Sequence, residues 1–274
     1  MRQDLEDLKL LHILNSCSAE DKSPLVDYIT DKGEGRISLD DEVKDQLVHA
    51  QKTQLFNGYA DELIIDEIQR FGGHTWINSV RGTGVSYDEV VRDVASKIGA
   101  KYPKDSDCET VEKAILNKVI EKAWGKMSEE ERADLTKSLH IPGKGAAALA
   151  AVLAAAEAGG FATFQIAATV ANAVARQILG KGLTFGANAA MMEGLGFLVG
   201  PIGWAIAAVW FAADLAGPAY RVTVPCVLHI AYLRQKLAQE SRTLCPQGHT
   251  QTDPNAKFCS TCGAPIGAPR LRQS

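Results

Sequence analysis

The stretch "GAAALAAVLAAAEAGGFATFQIAATVANAVARQIL", residues 145–179, decides the fold class. It is dominated by alanine, glycine and aliphatic residues, and alanine and leucine are strong helix formers. The low charge continues from Ala146 to Leu233, where the charged residues are Glu157, Arg176, Lys181, Glu193, Asp214 and Arg221. Helices that are apolar all round cannot keep a solvated face, so this region is predicted to form the buried helical core.

The preceding region, from Leu39 to Ile141, has the periodicity of amphipathic helices. Its apolar residues recur at spacings of three and four, which places them on one face of each helix. The residues that carry this pattern are Leu63, Ile64, Ile68, Phe71, Val90, Val91, Val94, Ile98, Val111, Ile115, Val119 and Trp124. Ser128 with Glu131 predicts a capping box, and Ser18 with Asp21 predicts the start of a second N-terminal helix. The fold class is therefore mostly α, a multi-helix bundle with an apolar Ala/Gly-rich helical core.

Shifts in composition divide the chain into five regions. They are a short N-terminal helical domain (1–33), an amphipathic helical region (36–142), an Ala/Gly-rich apolar helical region (143–240), a small zinc ribbon (241–265) and a flexible tail (266–274).

Bulk composition limits the function classes. The net charge is −4, with 46% hydrophobic and 23% charged residues, which gives no whole-chain reason to bind nucleic acid. The N-terminus "MRQDLEDLKLL" is acidic and not signal-like, so we expect a cytoplasmic protein, with a peripheral or integral position at the inner membrane as the variant. The scattered Cys17, Cys108 and Cys226 are expected to be small buried side chains and not reactive thiols.

The stretch "CPQGHTQTDPNAKFCSTCG", residues 245–263, has metal-ligand spacing. Cys245 and His249 form one close pair, Cys259 and Cys262 form the other, and a short hairpin would bring the pairs together. Four such ligands suit a tetrahedral Zn²⁺ and leave no position for water, so the predicted zinc is structural. The alternatives are a disulfide between Cys259 and Cys262, or plain thiols.

This segment resembles the zinc-ribbon modules that end many bacterial proteins, although its first knuckle is one residue longer and ends in histidine. Zinc ribbons bind proteins and nucleic acids, so the resemblance leaves the partner open. The module is mildly basic but lacks the aromatic series of a base-stacking surface. We expect a protein partner, with nucleic acid as the weaker alternative and with no small-molecule substrate.

The segment "GLGFLVGPIGWAIAAVWFAA", residues 194–213, admits two interpretations. It is uncharged and long enough to cross a bilayer, which favours a membrane-inserting hairpin. Gly200 followed by Pro201 would bend such a helix, which favours a buried core helix. Asp214 and Arg221, on either side of a Gly-Pro turn, are predicted to form a structural ion pair, and His229 is predicted to be a core histidine.

Several segments resemble the YaaW-like family of uncharacterised bacterial proteins. "DLEDLKLLHILNSCSAEDKSPLVDYIT" is similar to its short N-terminal domain. "EIQRFGGHTWINSVRGTGVSYDEVVRDVASKIGAKY", "EKAWGKMSEEE" and "GPAYRVTVPCVLHIAYLRQ" are similar to its body, which is sometimes grouped with ubiquinol-cytochrome c chaperone-type domains. The resemblance covers roughly residues 1–235 and implies a bacterial helical protein without an assigned activity.

Enzymatic motifs are missing from the sequence, since GxxxxGK[ST], HExxH and GxSxG do not occur. His74 has no recognisable nucleophile or partner, so it is interpreted as a loop histidine. The leading hypothesis is a non-catalytic helical interaction or scaffold protein with a structural zinc module. The alternatives are a membrane-associated or inserting protein that uses residues 146–233, and an assembly chaperone for a membrane or respiratory complex.

Overall fold

The computed structural model describes residues 5–36, 38–72, 84–139, 141–183, 200–203, 220–243, 257–263 and 265. Within these ranges the helices are α1 (Leu5–Ser16), α2 (Ala19–Thr30), α3 (Asp41–Thr53), α4 (Gly58–Gly72), α5 (Tyr87–Ile98), α6 (Cys108–Trp124), α7 (Glu129–Ser138), α8 (Gly145–Ala158), α9 (Phe161–Leu179) and α10 (Tyr220–Thr243).

Local capping signals start several of these helices. Ser18 caps α2 and Ser128 caps α7, and each forms the full capping box with the residue three positions on, Asp21 and Glu131. The capping box at Ser128 and the helix start at Ser18 were predicted from the sequence, and both are confirmed. Each box satisfies backbone N–H groups that the first turn of a helix leaves without partners.

The amphipathic helices bury the faces that their periodicity predicts. In α4, Ile64 and Ile68 are fully buried, and in α5 the same holds for Val90, Val91 and Val94. These side chains belong to one hydrophobic cluster that also includes residues of α8, α9 and α10. The first half of the chain therefore covers the apolar helices, as expected from its pattern, although the predicted domain boundaries stay a prediction.

Helices α9 and α10 lie at the centre of the bundle. Residues 163–175 of α9 and 222–233 of α10 are buried without interruption. α10 packs most extensively against α9 and also contacts α1, α2, α4, α5 and α6, while α8 packs on α6 and α9. A helix buried on every side needs an apolar sequence all round, which explains the low charge of this region.

Three buried polar residues of α9 have hydrogen-bond partners inside the bundle. The Thr163 hydroxyl donates to the Ala155 carbonyl at 2.8 Å, and the Thr169 hydroxyl donates to the Gln165 carbonyl at 2.7 Å. The Asn172 side-chain oxygen accepts a hydrogen bond from the Leu183 N–H at 3.0 Å. A buried polar group that keeps a hydrogen bond lowers the stability of the fold only slightly, so these residues are compatible with a core helix.

The residue before a proline prefers an extended backbone, but Pro225 lies inside a helix. Helix α10 continues through this proline from Tyr220 to Thr243. A proline early in a helix removes only one hydrogen bond, to the carbonyl four residues before it. Burial of Val222, Val224 and Val227 on both sides of Pro225 outweighs that loss and the extended preference of the preceding residue.

The mostly helical fold class is confirmed for the described residues. Their only β pairing is an isolated antiparallel bridge between Phe258 and Pro265. In the described part of the chain, no single helix combines the length and the apolar composition needed to cross a bilayer, whereas α8 and α9 meet both criteria as a pair bent by 100°.

Candidate functional site

A surface groove of about 640 Å³ lies between α1 and the last two turns of α10. It is larger than a second surface cavity, of about 190 Å³, beside α7 and α8. Its lining consists of Leu8, Lys9, His12, Ile13, Ser16, Arg234, Leu237, Ala238 and Ser241. We name it the α1/α10 groove.

The α1/α10 groove combines apolar side chains with hydrogen-bond donors. Ile13 is buried and belongs to the core, whereas Leu8 remains 46% exposed, and Leu5, one turn before it, is 64% exposed. Among the described residues, the ionisable side chains that line the groove are Lys9, His12 and Arg234, and the Lys9 ammonium lies 2.6 Å from the Glu6 carboxylate. Such a mixed surface suits a protein ligand with an apolar face.

The floor of the groove is held by a buried cluster of charged and polar groups. Arg234 of α10 donates to Glu112 of α6 through Nε at 2.8 Å and Nη2 at 3.1 Å, and the Tyr87 hydroxyl of α5 donates to the same carboxylate at 2.9 Å. The Glu112 side chain is 1% exposed. Burial alone would lower the pKa of Arg234, but the Glu112 charge raises it, so the guanidinium stays protonated. Three helices are thereby fixed beneath the groove.

Two further ion pairs bind α2 to its neighbours. Lys236 of α10 lies 2.6 Å from the Asp21 carboxylate, and Lys22 lies 2.9 Å from that of Asp61 in α4. Burial raises the pKa of Asp61, and Lys22 opposes this effect only in part. These pairs are buried, so each depends on both partners being present.

His229 is a core histidine, as predicted. It is 1% exposed, and its Nε2 lies 2.7 Å from the Asp21 carbonyl oxygen, which can only accept a hydrogen bond. Nε2 therefore carries the proton and Nδ1 is left as a buried acceptor without a partner. Burial lowers the pKa of His229 to about 4, so the ring is neutral at pH 7.

The scattered thiols fit the expectation of unreactive side chains. Cys108 and Cys226 are fully buried, and Cys17 is partly buried. Burial raises the pKa of Cys17 to about 12 and raises the pKa of the other two thiols as well. Nucleophilic cysteines need the opposite shift, because the thiolate is the reactive form.

The described part of the cysteine-rich segment forms a tight turn around Cys259. The Cys259 sulfur accepts hydrogen bonds from the backbone N–H groups of Thr261 and Cys262, both at 3.4 Å. Gly263 closes the turn with its N–H on the Cys259 carbonyl at 2.8 Å, and its φ of +70° is one that glycine adopts readily. Backbone N–H groups aimed at a sulfur favour its thiolate, the form that binds metals.

Two of the four predicted zinc ligands lie among the described residues. Cys259 is buried and Cys262 is exposed on the same turn, whereas Cys245 and His249 lie outside the described residues. Within the described ranges no group of three or more His, Cys, Asp or Glu side chains is arranged to hold a metal ion. Asp214, His74 and all of residues 194–213 except 200–203 also lie outside, so the Asp214–Arg221 pair and the choice between core helix and hairpin stay predictions.

Sequence reasoning missed the α1/α10 groove and the cluster below it. One signal pointed to the cluster: Glu112 lies between Val111 and Ile115, on the apolar face of α6, where a charge needs a partner. No comparable signal pointed to the groove, because its two walls are more than two hundred residues apart in the chain.

Comparisons with known proteins place the chain among bacterial relatives. Residues 60–228 match the family described as "Ubiquinol-cytochrome C chaperone". A UPF0174 protein of Helicobacter pylori strain J99 is 39% identical over 182 residues, which cover 65% of this chain and 72% of the relative. The UPF0174 protein YaaW of Escherichia coli K12 is 27% identical over 239 residues, which cover 83% of this chain and 94% of the relative. No solved structure matches significantly.

Proposed function

Since this chain belongs to the ubiquinol-cytochrome C chaperone family and to the UPF0174 proteins, we propose that it is a non-catalytic helical protein that acts by binding other proteins. The family name supports a chaperone-like role, the last of the alternatives raised by the sequence, and neither family is a known enzyme family. A chaperone-like role implies protein partners. In its narrower form the proposal is assembly of a membrane or respiratory complex, with the chain acting from the cytoplasm.

The observation that carries this proposal is the α1/α10 groove. It offers exposed apolar surface above the Arg234, Glu112 and Tyr87 hydrogen bonds that join three helices, and exposed apolar patches are common at protein-binding sites. The titratable groups of the core are also consistent with a non-catalytic role. His229 is neutral, the core thiols are protonated, and the buried carboxylates form ion pairs with lysine or arginine. Among the described residues, these groups take part in the packing and ion pairs that stabilise the fold.

The first prediction is that Leu8→Asp lowers capture of partner proteins roughly tenfold, because a charge would replace a contact in an apolar interface. Full-length protein is crosslinked in its host cell, purified, and its partners are quantified by mass spectrometry. Leu55→Asp is the matched control, since Leu55 is 75% exposed and does not line the groove. Equal partner yields from the two variants would argue against the groove as the binding site.

The cysteine-rich segment has a separate proposed role, binding one structural Zn²⁺ through Cys245, His249, Cys259 and Cys262. The N–H groups aimed at the Cys259 sulfur support this proposal, because such bonds stabilise a metal-bound thiolate. Zinc would hold a segment that is too small to build a hydrophobic core.

The second prediction is that the purified chain carries about one zinc per molecule, and that Cys259→Ser combined with Cys262→Ser removes it. Elemental analysis after gel filtration measures the metal. Cys108→Ser, which changes a thiol outside the segment, should keep the zinc content. Helical circular dichroism should stay unchanged in the double variant, because Cys259 and Cys262 follow the last described helix and belong to none of the described helices. Equal zinc in wild type and double variant would refute this ligand set.

A further inference from the structure

We propose that α8 is a lid that rotates on glycine hinges at both of its ends and uncovers apolar surface of α6 and α9. In the open state α8 continues the axis of α9, so that the two helices become one. This inference goes beyond the proposed function, because it concerns a second conformation of the bundle and does not involve the α1/α10 groove.

The hinge at the end of α8 consists of Gly159 and Gly160. Gly159 has φ +78° and ψ 170°, and Gly160 has φ +93° and ψ −157°. Residues with a Cβ atom are strained in this region of backbone space, whereas glycine enters it freely and can also adopt helical angles. The bend of 100° between α8 and α9 therefore depends on two residues that can also straighten it.

The connection that leads into α8 contains a second pair of glycines. Gly143 has φ +115° and Gly145 has φ +62°, and the side chain of Lys144 between them makes no capping hydrogen bond to the helix. All three residues line the cavity of about 190 Å³ beside α7 and α8, so the first turn of α8 is not tightly packed. Backbone that can rotate thus bounds α8 at both ends.

One narrow face attaches α8 to the bundle. Ala148, Val152 and Ala156 are buried on this face, whereas Ala150 and Ala154 on the other side are exposed. Small side chains remove little apolar area from water, so their burial contributes less free energy than that of leucine or phenylalanine. The packing of α8 is therefore weaker than that of α9, which is buried on every side.

Polar contacts add little to this attachment. Among the described residues no ion pair joins α8 to its neighbours, and two hydrogen bonds do so. Asn117 Nδ2 of α6 donates to the Glu157 carboxylate, and the Thr163 hydroxyl of α9 donates to the Ala155 carbonyl, both at 2.8 Å. Glu157 is exposed, so water can replace Asn117 as its partner. Rotation of α8 therefore breaks no buried pair of charges.

Rotation of α8 uncovers a strip of α6 from Asn117 to Trp124. Asn117 contacts Glu157 near the end of α8, and Trp124 lines the same cavity as Ala148 near its start, so the two helices run antiparallel over this length. Trp124 is 6% exposed in the closed state. The lid controls when this apolar surface is available, and its use for a protein partner rests on the proposed function, whereas the rotation does not.

Replacing both hinge glycines, Gly159→Ala with Gly160→Ala, should shift the full-length protein toward the open state. Alanine is strained in the hinge conformations and favours the helical angles that join α8 to α9. Hydroxyl-radical footprinting read by mass spectrometry should show oxidation of Trp124 rise at least about tenfold. Tyr28 and Tyr87, which are buried away from α8, should keep their low oxidation.

Gly125→Ala is the matched control for the hinge variant. Gly125 follows Trp124 directly, but its φ of −63° is helical and an added Cβ would come no closer than 3.6 Å to the Lys122 carbonyl oxygen. This substitution should leave the oxidation of Trp124 unchanged. Helical circular dichroism should be the same in all three proteins, because α8 rotates as a helix.

Wild-type protein supplies a second measurement that needs no variant. Hydrogen–deuterium exchange should be at least about tenfold faster in residues 145–158 than in residues 165–175 of α9, since α8 leaves the bundle while α9 stays in it.

Four results would overturn the inference. They are unchanged Trp124 oxidation in a folded hinge variant, a parallel rise at Tyr28 and Tyr87, a loss of helical signal that indicates unfolding of α8, and equal exchange of α8 and α9 in wild type. Partner capture that still depends on Leu8 would then leave the proposed function standing without the lid.

Discussion

Replacing Glu112 by leucine is expected to lower the free energy of unfolding by about 3 to 5 kcal/mol. The change leaves the Arg234 guanidinium, whose side chain is 12% exposed, without its counter-ion, and it removes the acceptor of the Tyr87 hydroxyl. An unpaired buried charge is among the most destabilising features a fold can contain. Urea unfolding followed by circular dichroism at 222 nm measures the loss.

Two comparisons separate the lost charge pair from a general effect of substitution on α6. Glu121→Leu, in an exposed pair with Lys118 on the same helix, should change stability by only about 0 to 1 kcal/mol. Adding Arg234→Met to Glu112→Leu removes the unpaired charge and should recover most of the stability. Similar losses from Glu112→Leu and Glu121→Leu would contradict the role assigned to the buried pair.

Lowering the pH is expected to destabilise the fold through His229. Its pKa is about 4 in the folded protein and 6.5 as an ordinary histidine, so the unfolded chain binds the proton more readily. The stability from the neutral ring is complete above pH 6.5 and is lost as the pH falls toward 4. One pKa unit corresponds to about 1.4 kcal/mol, so the full loss is about 3 kcal/mol.

A variant isolates this histidine from the acids that titrate in the same range. His229→Gln keeps a side-chain N–H for the Asp21 carbonyl but does not titrate, so the difference between its urea unfolding curves and those of wild type reports His229 alone. The groups around the ring are Asp21, Lys236, Tyr28 and Tyr232, and they remain in both proteins. Parallel loss of stability in both proteins between pH 6.5 and 4 would rule out His229 as the cause.

Features of the fold that depend on neighbouring residues could be predicted from the sequence. The capping boxes at Ser18 and Ser128 need only residues three positions apart, and the buried faces of α4 and α5 follow from spacings of three and four. The central position of α9 followed from composition, because a helix without charge has no face to give to solvent.

Features that depend on distant residues could not be predicted in this way. The extended tendency before Pro225 is a local preference, and packing of α10 against other helices overrides it. The partner of Glu112 could not be chosen among many arginines until the fold brought Arg234 beside it. For the zinc segment, spacing predicted a ligand set, and the described turn adds the N–H bonds to Cys259.

The central place of α10 fixes the order in which the protein can fold during synthesis. Among the described helices α10 is the last to leave the ribosome, yet Asp21 of α2 bonds to His229 and Lys236 of α10 across 208 and 215 residues. Contacts of such length close large loops and form slowly. Until translation passes residue 236, α10 is not available to cover the apolar surface of α9. The nascent chain therefore exposes this surface and is more prone to aggregate than the folded protein.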